Sequence, residues 1–494
     1  MNDPVSRNAA VGESSSRRFW EISEHGAKVL LVLMFVVKVG VTAWNARAYD
    51  QRPYDFKHHL GRAFTGGLVL HKMNYDPPLY YLPALLYRQV LERTGVEAPP
   101  PTLNAWTEAS SRPALRVMYL LRVTNVIYAA LFYACWCFFS FPRLLPDWRS
   151  AFLASALLLS MPGYQKLAAM THADNLFAAS AALCTVVWLQ LHARYLERGP
   201  ELEARYWLAL AVAAGVVGLS RPFAVVPVVL FALVAATFAL RARRIAPARA
   251  AGRLLAIGAL AGTLAFVWYA LRWHASSAVL DAYKAAYIKR WSRGREDYDF
   301  VHYFTSFSLP QLLLKPNRFL SGTGGFEGND SFFTVLYSEI WGDHWLYFSG
   351  KNGIEGKLLS KRILFVLALP VVPLLLLGAW RSLRAWRERA REALAPGMRS
   401  GLQRLRAALA ANERQAVIAV WLIAAAGLFL YWQTGPALLP SKNSTIKFTY
   451  TATFYPLAIA LAGYRPSRWS FNATAYYLLA LFAGALPVAI FSPG

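Results

Sequence analysis

A carboxylate set between aromatic rings is the first feature of this chain that could do chemistry. The run Tyr54-Asp55-Phe56-Lys57-His58-His59 has that form, and Asn74-Tyr75-Asp76-Pro77-Pro78-Leu79-Tyr80-Tyr81 follows it. An acid held in apolar surroundings has its basicity raised and can take a proton from an incoming hydroxyl. Asp55 is the candidate base, with His58, Asp76 and Tyr80 as candidate substrate-binding groups beside it. A purely structural role competes, since Asp55 also suits the N-cap of a helix starting at Phe56. The paired prolines force extended backbone that turns the segment back on itself.

A second chemistry-bearing segment lies further on. Tyr287, Lys289 and Arg290 offer cations for a lipid phosphate or pyrophosphate. The glycines of Ser321-Gly322-Thr323-Gly324-Gly325-Phe326 are too irregular for a nucleotide cradle and suit a mobile loop. Downstream, Trp341, Trp345 and Tyr347 stand beside Glu339 and Asp343, a composition suited to sugar rings and their hydroxyls. An interfacial aromatic belt has much the same composition. His, Asp and Glu nowhere recur at metal-ligand spacing, so no metal and no other cofactor is expected.

The elements that position these residues are apolar helices. Hydrophobic residues make up 56% of the 494 and charged residues only 16%, where a soluble domain has about 25% charged. Mean hydropathy is +0.31. Runs near the length of a membrane span occur at Val29–Ala46, Met118–Phe141, Leu176–Leu191, Tyr206–Leu219, Phe223–Leu240, Leu254–Trp273, Ile363–Trp380, Val417–Trp432, Phe448–Tyr464 and Ala473–Phe491. With the shorter Ala151–Pro162 they make about eleven. Cys135, Cys137 and Cys184 all fall inside such runs and read as small buried apolar residues, with no disulfide framework. The net charge of +25 in so apolar a chain points to membrane topology and anionic lipid, and no nucleic-acid partner is expected.

Basic short loops stay cytoplasmic. With residues 1–26 as a disordered cytoplasmic tail, strict alternation puts 142–150, 192–205, 241–253, 381–415 and 465–468 inside. The third of these holds five arginines and no acid; the fourth, nine arginines against three glutamates. Residues 27–494 then form one multi-spanning membrane domain with two long outer loops, 47–117 and 274–361. The basic stretch 381–415 has Leu and Trp at helical spacing and reads as an amphipathic surface helix on anionic lipid. Lys38 lies in the middle of the first span, where a charge faces a partner or a wet cavity.

An acid shortly after the first span, followed by Pro77-Pro78-Leu79-Tyr80-Tyr81-Leu82, resembles the membrane glycosyltransferases of the GT-C fold. The similarity is to the branch of protein O-mannosyltransferases and the lipid A aminoarabinose transferase. It implies an all-α integral membrane bundle with its active site on the periplasmic face of a bacterial inner membrane. The implied donor is a polyprenyl-phosphate sugar and the acceptor a lipid, glycan or protein. In that branch the loop acid is catalytic base or substrate positioner, which falls to Asp55. The branch often has an acidic pair there; here Phe56 follows, so Asp50 and Asp76 stay as rivals. The resemblance extends to Thr171-His172-Ala173-Asp174-Asn175, which implies a second catalytic acid in Asp174 with His172 at the substrate. It extends also to Ser220-Arg221-Pro222 and to Thr445-Ile446-Lys447-Phe448-Thr449-Tyr450, implying Arg221 and Lys447 at the phosphate leaving group. Each has a structural alternative: Asp174 and Asn175 as helix caps, Arg221 and Lys447 as snorkelling anchors. The rival function is a transporter or flippase of a lipid-linked or anionic substrate. No inverted repeat or pair of broken helices favours it. A non-enzymatic scaffold in envelope assembly, which would need neither Asp55 nor Asp174, is a third class.

Overall fold

A computed structural model describes residues 21–48, 78–96, 112–169, 173–198, 204–220, 300–314, 331–342, 354–394, 401–434, 454–463 and 468–490, with isolated residues between 252 and 263. Every regular element among them is helical, as expected where backbone polar groups must be satisfied within one segment. Four helical segments are long and apolar enough to cross a membrane: Glu24–Ala48, Tyr119–Leu144, Lys357–Glu392 and Ser470–Ala489. The apolar stretch 223–240 lies outside the described residues, as does most of 254–273.

Helix α1 (Glu24–Ala48) opens where the Ser23 hydroxyl accepts the Gly26 N–H at 3.1 Å. Its buried residues, Ala27, Leu31, Met34, Lys38, Thr42 and Asn45, recur every three or four positions and so share one face. Val29, Leu33 and Val36 on the other side are exposed, as a lipid-facing surface requires. The Pro78–Tyr80 turn leads into α2 (Leu82–Arg93). Helix α3 (Arg112–Ala134) runs on through a π turn, Cys135–Ser140, into a last helical turn, Phe141–Leu144. It packs antiparallel to α1: Phe35 meets Phe138 with ring centroids 5.3 Å apart, and Lys38 lies over the Tyr133 ring at 5.8 Å.

Helix α4 (Trp148–Ser160) begins where Asp147 accepts the Ser150 N–H at 2.8 Å. Every residue from Ser150 to Ser160 is buried, so the short helix is wrapped on all sides by its neighbours. Next come α5 (Gly163–Ala169), α6 (Asp174–Arg198) and α7 (Ala204–Ser220). The second half contains α8 (Phe300–Thr305), α9 (Leu309–Leu314), α10 (Phe332–Trp341), α11 (Ile354–Ala368) and α12 (Val371–Glu392). It closes with α13 (Gly401–Ala411), α14 (Glu413–Thr434), α15 (Phe454–Ala462) and α16 (Arg468–Ala489).

Past Trp380, where the apolar run ends, the helix continues without a break into the basic stretch as far as Glu392. Arg, Ala and Glu propagate a helix well, and no Gly or Pro intervenes before Pro396. The amphipathic stretch is therefore the end of α12 plus the separate α13, joined where Asn412 donates to the Trp386 carbonyl at 3.1 Å. At Gly378 the backbones come close, since an added Cβ would lie 2.6 Å from the Ala462 carbonyl oxygen of α15.

Helices α1 and α16 run parallel. Ile22 N–H donates to Asn472 Oδ1 at one end (3.3 Å), and Asn45 Nδ2 to the Ala489 carbonyl at the other (2.7 Å). Arg414 Nη1 donates to the Arg143 carbonyl at 2.9 Å, joining two of the basic stretches that alternation assigns to one side.

Candidate functional site

Lys38, Thr42, Asn45, Arg122, Asn125, Asp174 and Asn175 are buried polar residues in one half of the bundle. On α1 the buried face is apolar from Ala27 to Met34 and polar from Lys38 through Thr42 to Asn45. On α3, which runs the other way, Arg122, Asn125 and Tyr133 share a buried face. Helix α6 enters the same half with Asp174 and Asn175, 1% and 0% exposed. Leaving such groups inside without partners is costly, and Lys38, Asn45 and Asn125 find theirs on other segments of the chain.

Lys38 Nζ donates to the Met161 carbonyl at 2.7 Å. That acceptor is available because α4 has ended there and the last carbonyls of a helix have no partner within it. The Lys38 carbonyl in turn accepts from Thr42 Oγ1 at 2.8 Å and from Gln165 Nε2 at 3.4 Å. The Lys38 cation faces the Tyr133 ring, and Tyr133 meets Tyr164 edge-on at 5.5 Å. Tyr164 also stacks on Phe132, with centroids 4.2 Å apart. Burial first, and the Asp174 carboxylate second, push the Tyr164 phenol well above its usual range. A line of groups thus runs from Lys38 through Tyr133 and Tyr164 to Asp174, carried by α1, α3, α5 and α6.

Asp174 opens α6, where the exposed N–H groups and the helix dipole favour a negative charge. Its neighbour Asn175 does not cap that helix through its amide. Nδ2 donates instead to the Leu167 carbonyl of α5 at 3.0 Å, tying the Tyr164-bearing helix to the acid-bearing one. A buried carboxylate beside a protonated phenol can orient a hydroxyl or hold a developing positive charge.

Tyr80 stands in the same half. It is 1% exposed, its hydroxyl donates to Asn125 Oδ1 at 3.0 Å, and its ring meets Tyr81 edge-on at 5.0 Å. Tyr87 and Thr124 share a hydrogen bond of 2.7 Å one turn away, fastening α2 to α3. Glu339 is buried on α10, which packs against α5 and α11.

The aromatic face expected beside Glu339 is corrected in part. Trp341 is 3% exposed and belongs to the main apolar core, and an added Cβ at Gly342 would lie 2.6 Å from the Phe365 ring. Trp341 is thus packing material, not an open platform for a sugar ring. Asp50, Asp55, His58, Asp76, His172, Arg221, Lys289, Arg290, Asp343 and Lys447 lie outside the described residues. The structure links Lys38 to Asp174 only by way of the rings of Tyr133 and Tyr164, and of these four the sequence reading singled out only Lys38 and Asp174. The missed signal was the polar run from Tyr164 to Gln165 just after Pro162, at a helix break. Among the described residues no three His, Cys, Asp or Glu side chains come together as metal ligands.

Compared with protein-family models, with curated proteins and with solved structures, the chain matches none.

Proposed function

We propose that this chain is a membrane glycosyltransferase, moving a sugar from a polyprenyl-phosphate donor to an acceptor on the outer face of a bacterial inner membrane. In this reading about eleven spans form a GT-C-like bundle with two long outer loops. The observation that carries it is the buried Asp174 beside Tyr164, in the half of the bundle away from the arginine-rich stretches. An outward site has no access to cytoplasmic nucleotide sugars, so the donor is lipid-linked.

In the reaction the acceptor oxygen attacks the anomeric carbon as its proton passes to the Asp55 carboxylate. The bond from that carbon to the phosphate oxygen breaks, and polyprenyl phosphate leaves with both electrons. Arg221 and Lys447 neutralise the charge developing on the leaving phosphate. Asp174 orients the acceptor hydroxyls. Direct attack inverts the anomeric centre, because no second carboxylate acts as nucleophile.

The test is purified protein in liposomes, given a donor labelled in the sugar. Labelled acceptor and free polyprenyl phosphate are expected. Labelled donor that crosses the bilayer intact, with no free polyprenyl phosphate, would instead establish the flippase alternative. The buried Lys38 is the feature that reading would use, since intramembrane charges also mark transport paths.

A further inference from the structure

A shallow groove, with a free volume of about 40 Å³ and open along one side, runs between α4, α12, α15 and α16, in the half of the bundle opposite Asp174. Its walls are apolar, including Leu153, Leu157, Leu374, Leu375 and Ile459, and Ser150 and Thr474 add the polar groups. Ser150 is 2% exposed, and its Oγ has no hydrogen-bond partner among the described residues. The Ser150 N–H is already donated to Asp147, so that carboxylate is engaged as a helix cap.

Arg149, one residue earlier, stretches across two rings, with its guanidinium carbon 5.3 Å from the Trp148 centroid and 5.9 Å from that of Phe471. Its Nε is buried without a hydrogen-bond partner among the described residues. Phe471 lies one turn before Thr474 on the same face of α16, so the stacked guanidinium stands at the polar end of the groove. A guanidinium held flat on aromatic faces is pre-organised to bind a phosphate through two N–H groups.

We infer that this groove binds one anionic phospholipid. An acyl chain lies along the leucines, and the phosphate accepts from Arg149 and from the Ser150 hydroxyl. The inference is independent of the transferase reading, since no residue of the Asp174 cluster takes part. Charge complementarity selects the occupant: the Arg149 guanidinium favours an anionic headgroup, and the groove lies between helices whose outer faces, such as Leu376 and Trp380, are exposed apolar surface.

The experiment is native mass spectrometry of the full-length protein in detergent, titrated separately with phosphatidylglycerol and phosphatidylcholine. One phosphatidylglycerol is expected to bind in preference to phosphatidylcholine. Arg149→Ala should cut that preference by about fivefold, the scale of one basic residue near an anionic lipid. Ser150→Ala should weaken binding of both lipids to a lesser degree. Ala154→Phe should fill the groove and lose both. Arg387→Ala, on the exposed side of α12, should change nothing. Arg149→Ala sits on a partly exposed residue and carries the test if Ala154→Phe fails to fold. Equal binding of the two lipids to the wild type would overturn the inference. So would a preference that survives Arg149→Ala and disappears in Arg387→Ala, because that is the behaviour of a diffuse basic surface.

Discussion

Where Arg143, Arg384, Arg391 and Arg414 gather, the charged side chains are exposed, and Arg384 pairs with Glu388 along a single helix at 3.1 Å. Where Lys38, Asn45, Asn125 and Asp174 lie, the polar groups are 1% exposed or less, and the hydrogen bonds of the first three run to other segments of the chain. The two halves obey different energetics. An exposed pair such as Arg384–Glu388 contributes only about 0.3–0.5 kcal/mol and weakens with salt. A buried polar group left without its partner costs about 1–3 kcal/mol. Arginines on the first surface can serve orientation and lipid contact with little effect on packing. Polar groups in the second half constrain how the helices meet, so their retention there calls for a function.

The difference is most sharply tested at the acids. Asp55→Asn keeps the side-chain size and the capping oxygen, and Asn caps a helix about as well as Asp. Sugar transfer should nonetheless fall by about 10² to 10⁴, the usual contribution of a general base, with insertion and folding intact. Asp50→Asn and Asp76→Asn should be milder, and a dead Asp76→Asn beside an active Asp55→Asn would move the base within the loop. Next comes the buried pair. Asp174→Asn preserves an N-terminal acceptor but removes the charge, and Tyr164→Phe removes only a hydroxyl. Turnover should fall by about 10² in the first and about tenfold in the second. Unchanged turnover in both would reduce Asp174 to a helix start.

A smaller effect is expected where the polar half is held together. Lys38→Met retains most of the side-chain volume but abandons the Met161 carbonyl inside the protein. Thermal unfolding in detergent should show a loss of about 1–3 kcal/mol. A more stable variant would mean that desolvating the ammonium had outweighed its hydrogen bond. The arginine-rich half should hardly respond. Arg384→Ala should change stability by no more than about 0.5 kcal/mol and leave turnover alone.

Much of this contrast could be read from the residues. Apolar runs of span length have no stable state but the helix in a membrane, so α1, α3 and α16 were legible. Even α4, too short to span by length, was marked by its apolar run. Asp174 was legible because an acid directly before an apolar run can only sit at its mouth. Tyr133 and Tyr164 were not, because an aromatic residue within or beside an apolar run reads as core, and only the packing of α3 on α5 aligns them between Lys38 and Asp174. Beside Glu339 and Asp343, Trp341 was open to two readings, a binding platform or an interfacial belt, and on α10 it faces the core cluster. The far end of α12 was blurred because arginine and glutamate extend a helix as readily as they cover a membrane surface.

The transferase reading requires the two halves to face opposite sides of the membrane, and cysteine accessibility in intact cells measures that most directly. Single cysteines placed at Glu92, exposed on α2, and at Glu388, exposed on α12, report the two ends in a background where Cys135, Cys137 and Cys184 are buried. An impermeant maleimide should label the Glu92 position in intact cells and the Glu388 position only after the membrane is opened. Labelling of Glu388 but not Glu92 in intact cells would turn the Asp174 cluster toward the cytoplasm and contradict the lipid-linked donor with it.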